Sequence, residues 1–455
     1  MSNSIDLGGP KIGQTLFRLS IPAIFAQLST LIYNMVDRIF IGRMADGGMA
    51  MAALGVVMPI AMLISAFSVL IGNGGAPLVA ICIGENNKHK AETILGNSIA
   101  ILLMISATLT TFFLVFGEPL LYAFGASNNT IGYASSYLKI YVCGTIFVQM
   151  VLGLNPYINT QGRTKVGMIS LCIGAGVNVL LDYVFIALLN MGIAGAALAT
   201  VIAQGCSCIW IFRFLLSDDS LLKLKKDHFY LDYKLIIQML TLGMTSFIMQ
   251  TMETLIMLSY NRQLLKFGGD LALSSLAIMN TLLLLTTLPV TGVCRGAQPI
   301  LGYNFGAKNL SNIKQALKIQ FLSCMLYPFI SMCVVYMFPE AFIGIFNKDH
   351  IIMSATTASI RIYLLGQLII GLQIACQQSF IAFGKAKQSL MIVILRKIIL
   401  LIPLIYLLPM LFTQNQLNAV LMAQPITDLI STGVALISFY LFYHKMLVDF
   451  RVSPS

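Results

Sequence analysis

Two polar side chains interrupt the apolar run "NVLLDYVFIALL", residues 178–189: Asn178 and Asp182. Standing four apart, they share one face of a helix. An ionised Asp at the centre of a membrane helix costs about 2.5–3.5 kcal/mol on insertion scales. Asp182 must therefore face water, hold a partner or carry a proton. The next apolar run carries Thr200 and Gln204, again four apart. The link between the runs holds Gly192, Gly195, Ala196 and Ala197, small enough for two antiparallel helices to approach closely. The first apolar run ends "IYNMVDRIFIG", which puts Tyr33, Asn34 and Asp37 on nearby faces. Carboxylate, amide and hydroxyl oxygens of this kind suit a hard monovalent cation, Na+ or a proton. The alternative is that Asn178 and Asp182 bond between helices as structural glue, and that Arg38 neutralises Asp37 locally.

Two more acids fall inside apolar runs. Glu253, in "QTMETLIMLSYN", is compatible with a second cation site, a contact to cationic substrate, or an ion pair with Arg295 or Arg396. Asp428, in "QPITDLIS", reads as a bonded packing residue. Chemistry of other kinds finds little support. The four histidines, His89, His228, His350 and His444, fall in breaks or at the end of a run, and neither HExxH nor GxSxG occurs. GxxxxGK[ST] is absent too, which argues against ATP as the energy source. The expectation is a protein that is not an enzyme and uses no cofactor beyond a coupling ion. The nine cysteines lie within or at the ends of apolar runs without CxxC spacing, as small apolar fillers rather than disulfide or metal ligands. The 25 Met, 27 Phe and 17 Tyr fit an adaptable pocket for amphipathic cations, or ordinary membrane packing.

The elements that position these residues follow from composition. Of 455 residues, 58% are hydrophobic and 10% charged, against roughly 25% charged in a soluble domain. Mean hydropathy is +0.87. Apolar runs recur at roughly 14–40, 50–73, 94–116, 133–156, 167–189, 193–215, 235–262, 272–295, 315–338, 355–380, 389–412 and 418–443. Each can cross a bilayer core of about 30 Å, and backbone in lipid must be helical or in a closed barrel. The expected fold is an all-α polytopic membrane protein of about twelve helices. The N-terminus lacks a small-residue cleavage pattern, so the first run is expected to remain. The net charge of +11 resides mostly in short breaks and not in a nucleic-acid patch. Alternate breaks are basic ("NNKHKAE", "QGRTK", "LKLKKDHFYLDYK", "GAKNLSNIK", "GKAK"), which places them and both termini in the cytoplasm.

The halves are related. Gly162 and Gly384 stand 222 residues apart, as do Lys165 and Lys387, and Gln27 and Gln250 stand 223 apart. "IGNGGAPLVAICIGENNKHK" parallels "TGVCRGAQPILGYNFGAKNLSNIK". A near-constant offset describes two parallel six-helix repeats with a cavity between them, a transporter architecture. The boundaries are an N-terminal lobe over 1–216, a cytoplasmic linker over 217–234 and a C-terminal lobe over 235–455. The stretches "GNGGAP" and "GVCRGAQP" are expected to end the second helix of each half.

"MVDRIFIG", "AALGVVMPI", "QGRTKVGMI", "NVLLDYVFIALLNMGIAGAALATVIAQ" and "GAQPILGYNFGAKN" together resemble the multidrug and toxic compound extrusion (MATE) family over nearly the whole chain. The likeness is to MepA-type bacterial pumps, near the DinF-type branch. It implies a secondary active antiporter in the bacterial plasma membrane, working as a monomer, that exports lipophilic cationic drugs and dyes in exchange for H+ or Na+. A lipid-linked oligosaccharide flippase of the same superfamily is the alternative. In DinF-type members an Asp on the first helix, an Asn and Asp on the fifth and a Thr on the sixth hold the cation. These match Asp37, Asn178, Asp182 and Thr200. Another branch uses a Glu on the seventh helix and an Asp on the tenth. Here Glu253 is present, but 366–380 offers Gln367, Gln373, Gln377 and Gln378 and no acid. The resemblance thus favours coupling in the N-terminal lobe, with Tyr33, Asn34, Gln204 and Glu253 contacting substrate.

Overall fold

The structure, a computed structural model, describes residues 6–44, 46–224, 230–344 and 350–452. Residues 225–229 of the expected linker and 347–349 of the break "NKDH" lie outside the described residues. The described chain is helical, without a strand. The helices long and apolar enough to cross a membrane are α1 (Ile12–Gly42), α2 (Gly47–Gly84), α3 (Lys88–Ala123), α5 (Thr164–Leu188), α6 (Gly192–Leu216), α7 (Tyr233–Gly269), α8 (Leu271–Gly306), α9 (Leu310–Met337), α10 (Met353–Ala382), α11 (Ala386–Leu411) and α12 (Thr413–Phe450). The twelfth span, α4, is a bent pair, Ile131–Cys143 and Thr145–Thr160, with 57° between its arms. Between α7 and α8 the helix breaks at Gly269, whose φ of 63° favours glycine.

The repeat is written into the backbone. Asn86 (φ 58°) and Lys308 (φ 54°) have left-handed conformations 222 residues apart, and so do Gly162 (φ 73°) and Gly384 (φ 68°). One residue after the first pair, Asn87 and Asn309 cap α3 and α9. Their side chains accept from the backbone N–H of Lys90 and Asn312 at 3.1 and 3.2 Å. A residue in αL followed by an Asn cap stops one helix and starts the next in both halves.

By packing, the chain forms two compact units. One holds Ile21–Gln250; the other holds Gly8–Ser20 and the chain from Thr251 onward. The start of α7 thus belongs with the first unit. Asn73 Nδ2 donates to Ser246 Oγ at 3.1 Å and Gln250 Nε2 to the Met62 carbonyl at 3.2 Å. Residues 8–11, just before α1, belong with the second, where the Gly8 carbonyl accepts from Asn312 Nδ2 at 2.9 Å. Described parts of the linker are tied to the first unit. Gln161 Oε1 accepts from the Leu221 N–H at 2.8 Å, and Glu92 Oε1 accepts from the Lys223 N–H at 2.8 Å.

The Gly–Pro stretches do not end their helices. Helix α2 runs on through Pro77 to Gly84, and α8 through Pro299 to Gly306. Their glycines serve close approach instead. A Cβ on Gly74 would strike the Met239 carbonyl and one on Gly296 the backbone of Ser20; in α7, one on Gly243 would strike the Leu70 carbonyl. Backbone against backbone leaves no flexible neighbour to yield. We expect Gly243→Ala to destabilise the protein by about 1–3 kcal/mol, the usual cost of overpacking. Gly55→Ala, which meets nothing within 4 Å, should be neutral or mildly stabilising. Thermal unfolding in detergent distinguishes the two.

Candidate cation site

Asp182 is the last residue of regular helix in α5. The next six, Tyr183–Leu188, form a π-helical turn, a widening found often at functional sites. Helix α6 returns alongside after the left-handed Asn190 and Gly192. The seam between them is tight, because Gly174 leaves no room for a Cβ before Ser207 Oγ, 2.6 Å from where one would stand. Ser207 Oγ donates across the seam to the Ser170 carbonyl at 2.7 Å.

Higher in the same seam, Asn178 Nδ2 donates to Thr200 Oγ1 at 3.3 Å, and Thr200 Oγ1 donates to the Ala196 carbonyl at 3.0 Å. The Asn178 amide thereby commits one N–H to Thr200, while its Oδ1 is buried without a donor among the described residues. Helix α1 delivers Asp37, whose carboxyl lies within hydrogen-bonding reach of that of Asp182. Asp37, Asn178 and Asp182 are 5%, 1% and 0% exposed. Asp37 Oδ1, Asn178 Oδ1, both Asp182 carboxylate oxygens and Gln204 Oε1 are buried and accept from no donor among the described residues. Of these five buried acceptors three belong to two neighbouring carboxyl groups, which cannot both stand as bare anions. Like charges at this range exclude double ionisation unless a proton or cation intervenes. The donor set is all oxygen, which suits a hard ion.

Tyr33, Asn178, Thr200 and Gln204 line one cavity of about 40 Å³ together with Thr30 and the small Gly174 and Ala175. A water needs about 10–15 Å³, so the space takes a small ion with a little water. Drug-sized ligands occupy roughly 300–1,000 Å³.

The structure thus brings together Asp37, Asn178, Asp182 and Thr200, with Tyr33 and Gln204 alongside. The side chain of Asn34 lies outside the described residues. Glu253 belongs to the second unit, where its Oε1 accepts from Lys397 Nζ at 2.5 Å. Its ion-pair partner is therefore neither Arg295 nor Arg396. Arg396 instead grips Asp428 Oδ1 through Nε and Nη2 at 3.0 and 2.9 Å, in keeping with the packing role read for Asp428. Sequence reasoning missed Lys397, although a basic pair inside the apolar run 389–412 calls for two acids. It also missed Tyr137 and Tyr141, which stack 6.1 Å apart on α4, both buried. Tyr137 lies near Thr200, and both tyrosines lie near Tyr33. Their i, i+4 spacing in "SYLKIYVC" was the available signal.

A bundle of up to twelve membrane helices that buries an acid pair has the architecture of a polytopic membrane transporter. The family model MatE matches residues 22–184 and again 243–407, and the chain belongs to that family, the MATE transporters. Its relatives include Multidrug export protein MepA of Staphylococcus saprophyticus, 23% identical over 439 residues and 95% of each chain. MepA of Staphylococcus aureus strain NCTC 8325 is 23% identical over 96% of this chain and 95% of the relative. The fold matches a solved MATE in complex with MaL6, with a TM-score of 0.91 and 20% identity over 98% of this chain and 99% of that one. It likewise matches a MATE in the bent conformation, with a TM-score of 0.92 and 20% identity over 98% of each.

If Asp37 and Asp182 repel until an ion is taken up, Asp182→Asn should raise the melting temperature in ion-poor buffer. The same variant should lose the stabilisation that added Na+ or acid gives the wild type. Scanning fluorimetry across Na+ and pH series reads both effects. A wild type that melts at the same temperature in every buffer would refute the assignment.

Proposed function

We propose that the chain is a secondary active exporter of lipophilic organic cations, driven by entry of H+ or Na+ at Asp37, Asn178, Asp182 and Thr200. The observation that carries this reading is the set of buried acceptor oxygens on Asp37, Asn178 and Asp182 that no donor among the described residues satisfies. Its relatives' names, multidrug export proteins, support the substrate class. The basic breaks place both termini in the cytoplasm, in a bacterial plasma membrane.

The coupling follows from the electrostatics. With an ion bound, the two carboxyls tolerate each other, and α1 keeps its place against α5. Without it, repulsion favours an arrangement in which Asp37 moves away. Helix α1 contains Pro22, which removes one backbone hydrogen bond and eases bending there. Ion and substrate then favour different arrangements of α1, and each shifts the population the other prefers. Tyr33 and Gln204 supply substrate contacts beside Asn178 and Thr200, and Tyr33 offers a cationic drug its aromatic face.

Energised vesicles loaded with a fluorescent cationic dye test the reading under separate Na+ and proton gradients. The wild type should accelerate efflux under one gradient, and dissipating that gradient should abolish the effect. Asp182→Asn should lower gradient-driven efflux at least about tenfold, equivalent to 1.4 kcal/mol or more of lost coupling. Efflux and gradient dependence both intact in Asp182→Asn would overturn the proposal.

A further inference from the structure

The second unit contains a counterpart of the cavity in the first. Thr30 and Glu253 are 223 residues apart, Gly174 and Arg396 are 222 apart, Ala175 and Lys397 are 222 apart, and Gln204 and Gln424 are 220 apart. These are the separations of the repeat. In the first unit, Thr30, Gly174, Ala175 and Gln204 line the cavity beside Asn178 and Thr200. In the second unit, their counterparts build a charge network. Lys397 bonds Glu253, Arg396 bonds Asp428, and Gln424 Nε2 donates to Asp428 Oδ2 at 3.2 Å. Where the first unit has a hydrogen and a methyl group, the second has a guanidinium and an ammonium.

The local backbone differs at these positions: Arg396 and Lys397 lie in a π-helical turn, Leu395–Leu401, whereas Gly174 and Ala175 lie in regular helix and the π-helical turn of α5, Tyr183–Leu188, comes later along it. The acids differ in what neutralises them. In the first unit Arg38 adjoins Asp37 in the chain and acts on it electrostatically, but among the described residues neither Asp37 nor Asp182 is held in an ion pair by a protein cation. Those of the second each have one.

We propose that Arg396 and Lys397 are built-in counter-cations, occupying in the second unit the place a free monovalent cation or proton takes in the first. On this view Lys397 fixes the number of ions the protein binds by withholding Glu253 from them. The proposal rests on the reading of Asp37 and Asp182 as an ion site. The two pairs are not equivalent. Asp428 is 0% exposed and sealed by Arg396 and Gln424. Glu253 is 58% exposed while Lys397 is 6% exposed. A carboxylate so placed faces water, because hydrocarbon would be prohibitive, and a free cation can reach it once Lys397 is gone. Tyr260 and Tyr363 stack edge-to-face at 6.0 Å beside the network, and Tyr363 is tied to Asn280 Oδ1 at 2.8 Å. They add aromatic walls and no further charge.

The test counts ions bound by purified protein in nanodiscs, using radioactive Na+ and, in parallel, proton uptake after a pH jump. Lys397→Met should add a class of ion site, about doubling the count. The added site should persist in Lys397→Met/Asp182→Asn and vanish in Lys397→Met/Glu253→Gln. A Lys397→Met protein with an intact thermal transition and the wild-type count overturns the proposal. If Lys397→Met does not fold, the charge-swapped Glu253→Lys/Lys397→Glu decides. It keeps the pair, so a folded swap should bind the wild-type number, and any other number overturns the proposal. Should Asp182→Asn alone leave wild-type binding intact while Lys397→Met still gains a site, the ion site in the first unit is refuted and the counter-cation inference stands.

Discussion

Two carboxyl groups held against each other away from bulk water are the constraint on which the first unit is organised. Burying one ionised carboxylate is costly; burying two side by side adds their repulsion. A purely structural pair would carry a basic partner, as Asp428 does with Arg396. Asp37 and Asp182 instead lie beside an amide and a hydroxyl bonded to each other and to the backbone, Asn178 with Thr200 and Thr200 with Ala196. Among the described residues no donor reaches Asp37 Oδ1 or either Asp182 oxygen. In the proposed reading the missing component is a positive charge that comes and goes, and an element that depends on such a charge can be driven by its gradient.

The surrounding packing makes this tolerable. Small residues on α5 and α6 bring the helices close, so Asn178 can reach Thr200. The π-helical turn after Asp182 shifts the helix register by one residue, which re-aims the side chains beyond it. Elsewhere the unit is tied firmly. Gln149, fully buried, donates to the Ile64 carbonyl at 2.8 Å and accepts from Ser68 Oγ at 2.9 Å, clamping α4 to α2. Rigid neighbours concentrate any response to the ion in α1, the helix that delivers Asp37 and that contains a proline.

Spans, repeat and acid pair were legible in the sequence because each leaves a strong one-dimensional mark. Apolar runs must be long enough to cross lipid, duplicated helices keep their offset, and a carboxylate in such a run is conspicuous. Three things were not legible. The Gly–Pro stretches looked like helix ends because local propensity favours a break, yet helices packed backbone to backbone need those glycines inside them. Lys397 was overlooked because its partner lies 144 residues away and only tertiary structure pairs them. Tyr137 and Tyr141 were read as undifferentiated aromatic content. Their importance comes from facing Tyr33 and Thr200, which depends on how α4 packs rather than on its own pattern.

Duplication gives two copies of one helix arrangement, and charge is what separates them. A glycine and an alanine on α5 line a small cavity, whereas the Arg and Lys at the matching positions of α11 put charges there that cannot leave. A tethered cation neutralises an acid as well as a free one, but it responds to no gradient. Two identical ion sites would need twice the ion movement per cycle; one free site and one tethered site keep the fold's symmetry while confining the exchangeable charge to a single unit. The same reasoning explains why the second unit tolerates the fully buried Asp428. In the proposed reading its tethered pairs stabilise one arrangement continuously, and the acids of the first unit do so only while an ion is present.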